Sequence, residues 1–179
     1  MADLSASRLW LMRALFLGLC VAILFFLLLP LSGIPAVWAG PDLLLALTLA
    51  WAQRRPDYVP ALSVALVMLL ADLLLHRPPG LLALLVVLGA EQLKSRAGGL
   101  RDASFAGEWA AASLVIMSVT MINRVVLWVL MVDQAPLALT LSQMVMTVVI
   151  YPVVVIVSHF LLGVRRLSPG EEDVIGARL

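Results

Sequence analysis

Long uncharged apolar segments, separated by short clusters of basic and turn-forming residues, constrain this chain more than any other feature. An α-helix needs about 20 mostly apolar residues to cross the hydrocarbon of a bilayer, and the segments 14–31, 109–132 and 137–162 are of that order. Only 13% of the residues are charged, against about a quarter in a soluble domain. Lipid is therefore the expected solvent, and the expected fold class is an all-α polytopic membrane bundle.

Charges and turn chemistry divide the apolar sequence into six predicted spans within one transmembrane domain, 14–162. The spans are predicted at about 14–31, 36–52, 59–75, 79–92, 109–132 and 137–162. Residues 1–13 are expected to be a cytoplasmic segment, and residues 163–179 a cytoplasmic disordered tail. The second and fourth spans are short. They are interpreted either as tilted or sheltered helices, or as half-helices around a central ligand, as in many transporters.

The basic residues predict the orientation, because lysine and arginine accumulate in cytoplasmic loops. Arg77 stands alone in the loops on one side, and Arg124 falls within a span. The opposite side receives ten basic residues: Arg8, Arg13, Arg54, Arg55, Lys94, Arg96, Arg101, Arg165, Arg166 and Arg178. This asymmetry predicts an even number of spans with both termini in the cytoplasm. A cleaved signal peptide ending near Ala39 is disfavoured, since the first apolar segment exceeds the roughly 7 to 15 residues of a signal core.

A charged side chain inside a span is costly unless it is paired or exposed to water, which makes Arg124 the most informative single residue. Asp72 lies about one turn below the outer end of the third span, and Gln143 lies at a similar depth on the sixth. We predict an ion pair between Asp72 and Arg124. In the alternative interpretation, Arg124 extends toward the interface and Asp72 caps a loop.

Polar residues of the sixth span recur at helical spacing and predict one polar stripe: Thr140, Gln143, Thr147, Tyr151 and Ser158. Asn123, beside Arg124, belongs to a similar face on the fifth span. Such stripes are expected to face the bundle interior or a partner, and helix packing explains them more often than transport does. Pro152 removes a backbone hydrogen bond to Val148 and is expected to kink the helix.

The residues expected of an enzyme or a metal site are sparse. His76 and His159 are predicted on opposite sides of the membrane, and Cys20 is the only cysteine. The sequence holds no glycine-rich phosphate loop and no serine elbow motif. We therefore expect a protein that is not an enzyme and needs no metal or other cofactor. The net charge of +1, with its basic residues in short clusters, gives no indication of nucleic-acid binding.

Between residues 39 and 93 stands a series of short motifs: Gly40-Pro41-Asp42-Leu43, Trp51, Arg55-Pro56, Ala71-Asp72-Leu73 and Pro79-Gly80. This series resembles MreD, the rod shape-determining membrane protein family. Tyr151-Pro152, followed by Arg165 and Arg166, is similar to that family's closing segment. The motif positions that best match are Pro41, Asp42, Asp72, Gly80 and Pro152. The resemblance covers about half the chain densely, and Arg124 has no counterpart in it.

The resemblance implies a non-enzymatic scaffold in the bacterial inner membrane that belongs to the cell-wall elongation machinery. Its implied partners are the single-span protein MreC, the RodA glycosyltransferase with its transpeptidase and, indirectly, MreB filaments. The family also looks related in fold to the substrate-binding subunits of energy-coupling-factor transporters. A membrane subunit that binds the substrate of a small-molecule transporter is therefore the alternative function. It predicts a ligand-sized polar cavity between helices.

Overall fold

A computed structural model describes residues 2–29, 39–96 and 104–162, and its regular structure in these ranges is entirely helical. Six α-helices follow one another: α1 (Ala2–Leu28), α2 (Leu43–Arg54), α3 (Ala61–Leu74), α4 (Leu81–Arg96), α5 (Phe105–Val129) and α6 (Leu137–Leu162). A short 3₁₀ turn, Pro56–Tyr58, joins α2 to α3. The predicted all-α fold class and the six predicted helices are confirmed.

Helix boundaries agree best where the sequence carries a strong start or stop signal. The sixth predicted span coincides with α6, whereas α1 begins at Ala2, well before residue 14. The reason is that residues 2–13 contain neither proline nor glycine, so the helix continues beyond the apolar segment. Helix α2 starts at Leu43 because Asp42 caps it through its side chain. The predicted tail, Arg101 and the residues around Trp38 lie outside the described residues.

The helices fall into two length classes. Three of them, α1, α5 and α6, are long and apolar enough to cross a membrane. In their apolar segments, only 17% to 22% of the residues are buried inside the bundle. Large apolar side chains face outward along them, as with Phe160, 79% exposed, and Trp128, 73% exposed. A surface of this kind is stable in lipid and costly in water, so these helices indicate a membrane protein.

The short helix α2 lies at the centre of the bundle. Every residue from Leu44 to Gln53 is buried, and α2 packs against α1, α4, α5 and α6. With 12 residues it spans about 18 Å, less than the hydrocarbon thickness of about 30 Å. Enclosure by the neighbouring helices shields residues 44–53 from lipid. The second apolar segment is therefore short and sheltered.

Helix α6 continues through Pro152, because its neighbour compensates for the missing hydrogen bond. Proline lacks the N–H that would donate to the carbonyl of Val148, four residues earlier. That carbonyl instead accepts a hydrogen bond from the Trp109 indole of α5, with an Nε1–O distance of 3.0 Å. The kink predicted near Tyr151 stays a prediction.

Contacts between helices distinguish the two ends of the bundle. At one end, Arg13 donates to the carbonyl of Asp57, and Lys94 donates to the carbonyl of Val59. Arg54 pairs there with Glu108. We call this the basic end. The start of α2, the α3–α4 turn and the α5–α6 turn form the opposite end, which contains Arg77 and Arg124. The strongly asymmetric distribution of basic residues is thus also seen in space among the described residues.

Candidate functional site

A polar cavity of about 270 Å³ lies at the end opposite the basic end. It exists because α2 starts deep in the bundle. The backbone N–H of Asp42 donates to Thr147 Oγ1 of α6 at 2.9 Å, whereas α6 begins at Leu137. Ten residues of α6, about 15 Å, therefore extend beyond the start of α2. The space above α2 is the cavity, and we call this the cavity end.

The cavity is lined by side chains from six parts of the chain. Helices α2, α4, α5 and α6 contribute, as do the α3–α4 and α5–α6 turns. The polar residues lining it are Asp42, His76, Arg77, Thr120, Asn123, Arg124, Asp133, Gln134, Thr140, Gln143 and Thr147. Its charged groups are thus two guanidinium and two carboxylate groups, alongside amides and hydroxyls. Such a lining suits the binding of a polar group.

Arg124 extends toward the α5–α6 turn. Its Nη1 atom donates to the carbonyl of Ala135 at 3.1 Å and to Thr140 Oγ1 at 2.7 Å. Gln134 closes the same turn from the other side, donating from Nε2 to the backbone carbonyl of Arg124 at 3.2 Å. All these partners are neutral. Within the described ranges, the structure places no carboxylate in ion-pair contact with Arg124.

The predicted ion pair between Asp72 and Arg124 is therefore not formed. Asp72 is fully buried, and its Oδ2 accepts a hydrogen bond from the backbone N–H of Gly80 at 3.1 Å. Gly80 has a φ of +94° and directly precedes the first residue of α4. The carboxylate thus holds the α3–α4 turn and the start of α4 in place. Similar depth along two helices does not ensure that two side chains point toward each other.

Asp42 connects α2 to the α3–α4 turn. Its Oδ1 accepts from the backbone N–H of Leu45 at 3.0 Å, which satisfies one of the free N–H groups at the start of α2. Its Oδ2 lies 3.7 Å from Nη1 of Arg77. Of the motif positions in the family resemblance, Pro41 immediately precedes this cap. Pro152 lies in α6 as described above.

The polar stripe of α6 divides between the cavity and the interface with α2. Thr140 and Gln143 line the cavity, as does Asn123 of α5. Thr147 accepts from the Asp42 backbone. Further down, Tyr151 donates its hydroxyl to Gln53 Oε1 at 3.1 Å, and Ser158 accepts from Trp51 Nε1 at 3.0 Å. Most of the stripe therefore serves packing against the buried helix α2.

A buried ion pair at the basic end was not predicted from the sequence. Arg54 Nε and Nη2 contact the two oxygens of Glu108 at 2.7 and 3.0 Å, and the Glu108 side chain is fully buried. Gln53 Nε2 also donates to the backbone carbonyl of Glu108, at 3.4 Å. Glu108 belongs to a polar segment in the sequence and Arg54 to a basic cluster. The available signal was that Glu108 directly precedes an apolar span and falls in the first turn of α5.

Among the described residues there is no group of three or more histidine, cysteine or acidic side chains that could hold a metal ion. His76 lines the cavity, whereas His159 is near the basic end, where its ring contacts Phe160. The two histidines are thus far apart along the bundle axis. Comparisons with protein-family models, with curated proteins and with solved structures find no match to this chain.

Proposed function

We propose that the chain is a non-enzymatic, multi-pass scaffold of the bacterial inner membrane that resembles MreD and acts in cell-wall elongation. Its partners would be MreC, RodA with its transpeptidase and, indirectly, MreB. The observation that carries the proposal is the position of the residues behind the resemblance. Asp42 caps α2, and Asp72 binds the backbone of Gly80 at the α3–α4 turn. The motif residues thus hold the fold together, as expected if they mark a shared architecture.

The outer surface suits a scaffold within the membrane. Long outward-facing rows of leucine, valine and isoleucine cover α3, α5 and α6, as with Leu62 at 71% exposure. Several enclosed polar side chains bind one another, as in Trp51–Ser158, Gln53–Tyr151 and Arg54–Glu108. Such a surface can pack against transmembrane helices of other proteins in exchange for lipid. The basic end would face the cytoplasm, because basic loops are retained there.

Site-specific photo-crosslinking in native membranes tests the scaffold proposal. A photoreactive residue would be placed at Leu62 of α3, Leu114 of α5 or Phe160 of α6, all of which are exposed. We expect one face to yield a covalent adduct with a single-span MreC-type protein. The other faces serve as matched controls, since the same probe there should react with lipid only. Absence of any protein adduct from all three positions would argue against a scaffold.

The cavity favours a second candidate function, a membrane subunit that binds the substrate of a small-molecule transporter. A transporter of this kind needs a polar cavity between helices, and α2, α5 and α6 enclose one. Uptake of a small molecule that stops when the chain is deleted, with cell shape unchanged, would favour transport. Rounded cells with unaltered uptake would favour the scaffold.

A further inference from the structure

Arg124 has donors that the described structure leaves unused. A guanidinium group carries five N–H donors, and both contacts of Arg124 come from Nη1. Nε and Nη2 have no hydrogen-bond partner among the described residues. Since Ala135 and Thr140 supply neutral oxygens, the positive charge is also without a direct counter-charge. Charged side chains inside membrane bundles pair with one another, bind backbone carbonyls or face a water-filled cavity, and Arg124 lines the cavity with donors still unused.

A second guanidinium group, that of Arg77, lines the same cavity and also lacks a close acidic partner. Arg77 Nη1 lies 3.7 Å from Asp42 Oδ2, which is beyond hydrogen-bond distance. The other oxygen of Asp42 is committed to the cap of α2. Asp133, the remaining carboxylate of the lining, lies exposed in the α5–α6 turn and forms no ion pair with a described residue. Both guanidinium groups of the lining therefore keep N–H donors that no described acidic side chain takes up at hydrogen-bond distance.

Neutral groups in the cavity complete an environment suited to an anion. Asn123 and Gln143 add side-chain amides from α5 and α6. The start of α2, capped by the Asp42 carboxylate, opens on the same space. Guanidinium groups bind the oxygens of phosphate and carboxylate with two parallel hydrogen bonds. At about 270 Å³ the cavity holds a small molecule or a lipid headgroup.

We propose that this cavity binds the oxyanion group of a small ligand, a phosphate or a carboxylate, through Arg124 and Arg77. The inference deepens the second candidate function and rests on the same cavity, but it does not require transport. A scaffold whose cavity holds the anionic headgroup of a lipid would also fit this proposal. The oxyanion replaces the missing counter-charge of Arg124 and accepts its unused N–H donors.

Binding to the purified full-length chain in neutral detergent tests the proposal with three probes. Glycerol 1-phosphate and succinate are titrated by calorimetry, and retention of phosphatidylglycerol is measured by native mass spectrometry. We expect at least one probe to bind with one equivalent per chain, and Arg124→Gln to weaken that binding by about tenfold or more. Arg96→Gln, an exposed arginine at the basic end, is the matched control and should leave binding unchanged.

Each result separates the possible sources of the oxyanion. Binding of a soluble probe alone indicates a free metabolite, whereas retention of the lipid alone indicates a headgroup. If Arg124→Gln does not elute as a folded species, Arg77→Gln supplies the same comparison. Absence of binding by all three probes, or equal binding by both arginine variants and the wild type, overturns the proposal. The scaffold proposal is judged separately by crosslinking in cells, so either can fail alone.

Discussion

The basic end and the cavity end use charge in opposite ways. At the basic end, the Arg54 guanidinium forms two short contacts with a fully buried Glu108. At the cavity end, Arg77 is 3.7 Å from its nearest acidic oxygen, and Arg124 binds only neutral oxygens. Satisfied charges fix a structure, whereas incompletely satisfied charges beside a cavity are available to a ligand. We therefore expect the basic end to contribute mainly to stability and the cavity end to the proposed binding.

The largest effect is expected from breaking the buried pair. Glu108→Gln keeps the side-chain shape but leaves the Arg54 charge uncompensated, which should lower the free energy of unfolding by about 3 kcal/mol. Thermal unfolding of the detergent-solubilised protein measures it. Glu91→Gln is the matched control, because Glu91 is exposed and its pair with Lys94 should contribute less than about 1 kcal/mol. Equal effects of the two changes would contradict the special role of the buried pair.

A smaller loss of stability is expected midway between the two ends, where α4 approaches α5 closely. A Cβ atom added at Gly89 would lie 2.6 Å from Val115 Cγ1. We expect Gly89→Ala to destabilise the bundle by about 1 to 3 kcal/mol through overpacking. Combining it with Val115→Ala should recover part of that loss. Unchanged unfolding in the single variant would mean that the two helices can separate there at little cost.

At the cavity end, removing the Asp42 cap of α2 should destabilise the protein less than breaking the buried Arg54–Glu108 pair does. Asp42→Ala deletes the carboxylate that accepts from the N–H of Leu45 and lies near Arg77. We therefore expect the free energy of unfolding to fall by about 1 kcal/mol. Chemical denaturation followed by circular dichroism measures it. Asp133→Ala serves as the control, since that carboxylate is exposed. A loss as large as that of Glu108→Gln would remove the contrast between the ends.

The smallest effect on stability is expected from Arg124→Gln, at less than about 1 kcal/mol. The variant loses two hydrogen bonds to neutral oxygens but also removes an uncompensated charge from the bundle, and the two effects offset each other. Exchanging the charges of Asp72 and Arg124 tests directly whether the two side chains pair. Adding Arg124→Asp to Asp72→Arg should not restore the stability that Asp72→Arg loses, because the two side chains do not pair. Restoration in the double variant would contradict the structure.

The sequence predicted the helices better than it predicted their contacts. Apolar length and turn chemistry were sufficient for six helices, including the limits of α6. They were not sufficient for the burial of α2, because an apolar helix enclosed by others has the same composition as one facing lipid. The Asp72–Arg124 prediction used height along the membrane, whereas pairing also depends on the rotation of each helix. Glu108 was missed because its partner lies 54 positions earlier in the chain.

The enclosure of α2 has a consequence for how the protein is made. Ribosomes deliver the chain from its N-terminus, so α2 leaves the tunnel long before the residues that satisfy its polar groups. Ser158, which binds Trp51, comes 107 positions later, and Tyr151, which binds Gln53, comes 98 positions later. We therefore expect the insertion machinery or a chaperone to shelter α2 until the last helix arrives. A prematurely terminated product would expose an unfinished core to membrane proteases.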